Sequence, residues 1–163
     1  MEMFAHIRED GETQSLEAHL LGTAVLASRF AEAFGAAAWG AAAGRLHDIG
    51  KSSEAFQKRL HGWEIRVDHS TAGAQAAQKL GCNLIAFAVA GHHGGLPDGG
   101  NRGDSAEEPT LCGRLKRTDL PEYDTKLTAE RPKTTPFPIK NRLEASFFIR
   151  MLYSCLVDAD YLD

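Results

Sequence analysis

The stretch Leu46-His47-Asp48-Ile49-Gly50-Lys51 closes an alanine-rich segment and sets an imidazole beside a carboxylate where a helix is expected to end. Neutral imidazole and carboxylate both suit borderline divalent metals, so two such neighbours can address one ion. A single dipeptide of this kind is weak, and its weight comes from the other histidines. His19 lies upstream, His69 and the pair His92-His93 lie downstream, and Asp158-Ala159-Asp160 comes near the end of the sequence. Brought together, these side chains supply donors for two metal ions.

On the N-terminal side, Asp10-Gly11 signals a turn and Ser15 is suited to cap a helix running to about residue 34. Leu16, Leu20, Thr23, Ala24, Ala27, Ala31 and Phe34 recur at helical spacing, and His19 borders the stripe they form. Residues 36–47 are mostly alanine and glycine with Trp39 and Leu46, a composition that lets helices approach closely and suits a central element. Residues 53–60 read as a short helix buried through Phe56 and Leu60, and 62–68 as a loop with a short β-like run at 65–67. Further helices are expected from His69-Ser70 to residue 80, and over 83–92, where His92-His93 precede the helix-breaking Gly94-Gly95.

Periodicity dissolves over 98–140, beginning with a glycine-rich loop at 98–104 and punctuated later by Pro132, Pro136 and Pro138. Within 111–142 stand eight Lys or Arg against four acids, the basic part of an acidic chain. So long an aperiodic stretch is usually functional or disordered. The helical pattern returns over 141–163 with Leu143, Phe147, Phe148, Met151, Leu152, Leu156, Ala159 and Leu162, on a helix that also carries Asp158 and Asp160. The expected architecture is a globular all-α bundle of about five to seven helices, one domain over 1–163, with 98–140 as an irregular basic excursion.

Composition sets outer bounds. With 163 residues, 43% hydrophobic and 25% charged, the chain has enough apolar material for one core without staples. A formal charge of −4 argues against a broad basic nucleic-acid surface, yet leaves room for a phosphate substrate, because bound divalent metals add positive charge. Cys82, Cys112 and Cys155 are widely spaced and form no C-x-x-C pair, which fits a reducing compartment. The first ten residues carry charges and lack the apolar core of a signal peptide, and no apolar run approaches the ~20 residues that span a bilayer. The expected location is the cytoplasm, with no membrane partner.

A histidine-rich cluster with one shared aspartate describes a dinuclear centre of the kind that activates water between ions ~3.5–4 Å apart for in-line attack on a phosphodiester. Lys51, three residues after Asp48, is expected to bind a substrate phosphate or to stabilise charge developing in the transition state. His6 and His61 read as ordinary surface histidines. Asp158 and Asp160 point about 200° apart on a helix, so only one can face the site, and the apolar pattern does not choose between them.

In combination, these motifs resemble the HD superfamily of metal-dependent phosphohydrolases and, more narrowly, the HD nuclease domain of the CRISPR-associated type I helicase-nuclease. The resemblance runs from Ala5-His6 and Ser15-Leu16-Glu17-Ala18-His19-Leu20 through His47-Asp48-Ile49-Gly50-Lys51 and Val67-Asp68-His69-Ser70-Thr71-Ala72-Gly73-Ala74. It continues through Gly91-His92-His93-Gly94-Gly95-Leu96 to Leu156-Val157-Asp158-Ala159-Asp160. It implies one metal held by His19, His47, Asp48 and the C-terminal aspartate, and a second held by Asp48, His69, His92 and His93. The family's Ala-Asp-aromatic pattern maps onto Ala159-Asp160-Tyr161 and favours Asp160 over Asp158.

The implied cofactors are two divalent ions, Mn, Fe, Co, Ni or Zn. Hydrolysis of single-stranded DNA in CRISPR interference is the implied activity. Its partners would be a helicase domain or subunit, since the sequence holds no helicase motif, and the CRISPR target-recognition complex. The loop at 94–104 and the basic 111–142 segment are expected to guide the strand, through Arg114, Lys116 and Arg117 among others. Two alternatives remain: an HD-type nucleotide phosphohydrolase with a closed pocket, and a non-catalytic partner-binding domain stabilised by its metals.

Overall fold

The computed structural model describes residues 3–8 and 10–163. Seven α-helices and one two-stranded sheet occur among the described residues, in agreement with the expected helical bundle. A hairpin of β1 (Phe4–Ile7) and β2 (Thr13–Ser15) leads into α1 (Leu16–Glu32), which the Ser15 side chain caps by accepting from the Ala18 amide. The α1 stripe is buried as its spacing requires, and His19, in the first turn, goes inward with it. Next comes α2 (Ala37–Leu46), packed so closely on α1 that a Cβ on Gly44 would overlap the Ala24 backbone. Small side chains therefore make α2 the central element.

His47 caps the C-terminal end of α2, and Asp48 opens a 3-10 turn, Ile49–Ser52. A Cβ on Gly50 would run into the backbone of His69, so this glycine lets the turn lie directly against the start of α4. After α3 (Glu54–Leu60) come α4 (Ser70–Lys79) and α5 (Asn83–Gly91). The α4 N-terminus is capped by Asp68 rather than by His69: the carboxylate accepts from the Thr71 amide at 3.1 Å and from its hydroxyl at 2.7 Å. His69 is thereby left for other work.

The long helix α7 (Arg142–Leu162) closes the bundle and buries Phe148, Leu152 and Leu156 completely. Each such side chain stabilises the fold by about 1.5–3 kcal/mol relative to exposure. These three join Leu16, Leu20, Leu46, Ile85 and Val89 in the core.

The hairpin was not foreseen, because strands of four and three residues are too short to show alternation. Gln57 holds it by accepting from Phe4 N at 3.0 Å and donating to Phe4 O at 2.9 Å, as a neighbouring strand would. The run at 65–67, too brief to found a sheet, lies in a loop. The 98–140 excursion is irregular as expected, apart from the short α6 (Leu111–Leu115), but it is pinned down by polar contacts. Asp104 is buried and accepts from Asn101 N and the Thr110 hydroxyl, while the Lys116 ammonium donates to the carbonyls of Arg102 and Asp104. No helix of the described chain is long and apolar enough to cross a membrane.

Candidate metal centre

Five helix ends converge on one point. The first turn of α1 brings His19, the end of α2 His47, the start of α4 His69, the end of α5 His92 and His93, and the last turn of α7 Asp160. Asp48 stands in the middle, fully buried. Its two oxygens face different neighbours. Oδ2 lies 3.3 Å from Nε2 of both His19 and His47, and Oδ1 lies 3.2 Å from His69 Nε2 and 3.3 Å from His92 Nε2. Asp160 Oδ1 completes the first group at 3.2 Å from both His19 and His47, and His93 completes the second with its Nε2 2.9 Å from that of His69. Two sets result, His19-His47-Asp48-Asp160 and Asp48-His69-His92-His93, with the donor atoms of each within 4.8 Å of one another.

The donor chemistry fits metal ions. His47 Nδ1 meets the Gly44 carbonyl at 2.8 Å and His92 Nδ1 meets that of Val89 at 2.7 Å. A carbonyl only accepts, so these Nδ1 atoms carry the hydrogen and the neutral rings present a lone pair at Nε2. His47 Nε2 faces His19 Nε2 at 3.1 Å, an arrangement that needs a cation or a proton between the nitrogens. In the metal-free protein a proton serves. Burial works against a charged His47, but the Asp48 carboxylate, helped by Asp160, overrides it and raises the imidazole to about 10. Burial likewise opposes ionised Asp48 and Asp160, and the surrounding histidines hold both well below the ordinary carboxylate range. His93 goes the other way. Burial and the adjacent His92 push it down to about 4.

Lys51 lies against the shared carboxylate. It is 3% exposed, with its ammonium 2.7 Å from Asp48 Oδ2, donating to the Ala5 carbonyl at 3.4 Å. It thus pairs with Asp48 on the side of the oxygen that faces His19 and His47. Asp158 is exposed, and the turn of α7 gives the site to Asp160. His61 is exposed at the end of α3, as expected. His6 is exposed too, yet its ring stands edge-on to His19 with centroids 5.0 Å apart, at the rim of the centre. Only the hairpin brings it there.

The three cations expected to guide a strand are engaged within the protein. Arg114 donates to Thr71 Oγ1 at 2.8 Å, Ser70 Oγ at 2.8 Å and the Ala90 carbonyl at 2.6 Å. It therefore ties the start of α4, which carries His69, to the end of α5, which carries His92 and His93. Arg117 pairs with Asp68 and Asp119, and Lys116 holds the 98–104 loop. One residue escaped sequence reasoning altogether: Asp163, whose Oδ2 lies 2.9 Å from His19 Nδ1. Its spacing of three from Asp160, on the same helix face, was the available signal.

A helical domain whose helix ends assemble two His/Asp sets around a shared carboxylate has the make-up of a metal-dependent hydrolase. The family model of the HD domain matches residues 16–128, and the chain belongs to this family, whose members are generally metal-dependent phosphohydrolases. The match takes in every histidine of the two sets and Asp48, and it ends before α7, so Asp160 joins the site by geometry alone. Comparison with curated proteins finds no significant match.

Proposed function

We propose that the protein is a metal-dependent nuclease that cuts single-stranded DNA in CRISPR interference, working with a helicase domain or subunit and the target-recognition complex. The observation that carries the substrate class is a groove beside the second ligand set. It has a volume of roughly 1180 Å³ and is lined by His69, His93, Gly94, Gly95, Arg66 and Arg117 among others. Pockets for small ligands enclose about 300–1,000 Å³ and bury most of the ligand. An open trough that runs past the ligands suits a polymer better than a mononucleotide. Arg66 is exposed on its wall, without a hydrogen bond or ion pair to the described residues, and is the cation we assign to the strand backbone. The CRISPR setting rests on the run of motifs from His19 to Asp160.

In this reading His19, His47, Asp48 and Asp160 hold one divalent ion and Asp48, His69, His92 and His93 the other. Bound there, the ions supply Lewis acidity and lower the pKa of water. The chain itself contributes placement. Asp48 divides its two oxygens between the sets, the backbone carbonyls of Gly44 and Val89 fix the tautomers of His47 and His92, and Lys51 neutralises and orients Asp48 from behind. Hydrolysis adds water across a phosphodiester, forming a new P–O bond and releasing the sugar oxygen as a hydroxyl.

The test is a metal-titrated assay of single-stranded DNA beside a panel of nucleotides, with wild type and Asp48→Ala in parallel. Cleavage of DNA by wild type alone is expected. Hydrolysis of nucleotides with DNA left intact would replace this function with that of a nucleotide phosphohydrolase. Metal uptake without hydrolysis of either would leave a partner-binding domain.

A further inference from the structure

We propose that Asp163 is a positioning residue for the first metal, acting through His19. The proposal rests on the assignment of His19 as a ligand. Among the ligating histidines, His47 and His92 have their Nδ1 atoms fixed by carbonyls three residues back in the same helix. His19 instead reaches across the bundle, and its Nδ1 meets the Asp163 carboxylate at 2.9 Å, a partner 144 residues away in sequence. A carboxylate can only accept when ionised, so it holds the hydrogen on Nδ1 and turns the Nε2 lone pair toward Asp48 and Asp160, 3.3 and 3.2 Å away. A charged acceptor also makes the imidazole a stronger donor to a metal than a carbonyl does.

Two further segments are shaped around this carboxylate. Gln14, at the end of the hairpin, donates its side-chain amide to Asp163 Oδ2 at 2.7 Å. On α1, one turn after His19, Gly22 leaves the space the carboxylate occupies; a Cβ there would overlap Asp163 Oδ1. The side chain is 11% exposed and His19 is 1% exposed, so water competes little for the contact. Asp163 also adds a third negative charge behind a set that already contains Asp48 and Asp160. Among the described residues, the second set has no counterpart.

The experiment compares wild type, Asp163→Asn, Asp163→Ala, Gly22→Ala and His19→Ala by calorimetric titration with Mn²⁺, together with ¹⁵N-edited NMR of the His19 ring in the Zn²⁺-loaded protein. The tighter Mn²⁺ event is expected to weaken by about 10- to 100-fold in Asp163→Ala, and by less in Asp163→Asn, which keeps an accepting oxygen. Gly22→Ala should follow the same direction, and the weaker event should stay where it was. In wild type the His19 Nδ1 hydrogen should be slowly exchanging, and in Asp163→Ala it should be lost to exchange while the melting temperature is retained. Wild-type affinity in both Asp163 variants, with His19→Ala abolishing the tight event, would overturn the proposal and leave the ligand assignment standing. If His19→Ala also binds Mn²⁺ as wild type does, the ligand assignment fails and the proposal goes with it.

Discussion

The set formed by His19, His47, Asp48 and Asp160 is enclosed by α1, α2 and α7, whereas the set formed by Asp48, His69, His92 and His93 borders the groove. The first holds two carboxylates with a third behind His19; the second has only its share of Asp48. Charge and burial therefore run together. Enclosed carboxylates attract a divalent ion strongly, because little water screens them. Three imidazoles, two of them at the groove edge, bring no further carboxylate, bind more weakly and leave room for a substrate oxygen. On the proposed reading, one carboxylate would serve two ions in unequal roles, one retained in the enclosed set and one exchangeable at the groove.

The largest expected effect comes from removing what the two sets share. Asp48→Ala should lower metal-dependent hydrolysis by roughly 10³-fold, since a bound metal contributes several kcal/mol to the transition state. Circular dichroism would check that the helices persist. If hydrolysis survives, the two sets do not work as one centre.

Arg114 separates the sets. Because it joins the ends of α4 and α5, Arg114→Ala should weaken the second, looser metal event by about 10- to 100-fold and leave the first within error. Arg114→Lys cannot bridge three acceptors in one plane and should restore little. Equal weakening of both events in a titration would show that the centre responds as a block.

A smaller contrast is expected from pH in chelator-treated protein. His47 has a folded-state value of about 10, above its unfolded value near 6.5. Its contribution to stability is therefore complete below about pH 6.5 and is lost as the pH rises toward that folded value. His93, at about 4, lies below its unfolded value, so its contribution is present above about pH 6.5 and fades as the pH falls. Thermal melts across this range should thus decline on both sides, through His47 on the alkaline limb and His93 on the acid limb. His47→Gln should flatten the alkaline limb alone.

The smallest effect belongs to Asp158→Ala. This exposed carboxylate lies on the other side of α7 from Asp160, so stability should change by no more than about 0.5 kcal/mol. Cleavage should be unchanged, and a large loss would exchange the roles of the two aspartates.

Much of this arrangement was legible from local pattern. Apolar spacing marked α1 and α7, Ser15 and Asn141 cap them, and the small residues of α2 foretold a central helix. The histidines stood out because they fall at helix ends, where a side chain can leave its own helix and meet others. What local pattern concealed was partnership. Lys51 read as a phosphate contact or charge stabiliser, and burial sets it against Asp48; Arg114 read as a strand guide, but three acceptors from α4 and α5 claim it. His6 read as a surface residue, and a hairpin too short to show alternation carries it to the rim of the centre.

By itself the sequence determined the helical class, the order of the helices and the residue types that ligate metal, because periodicity, capping and donor chemistry are properties of short segments. Tertiary structure alone decided that Asp48 divides its oxygens between two sets, that Asp160 and not Asp158 faces them, and that Asp163 stands behind His19. Those outcomes depend on helix rotation and on contacts between residues far apart in the sequence, 44 positions for His92 and Asp48, 113 for His47 and Asp160 and 144 for His19 and Asp163, which no short segment encodes.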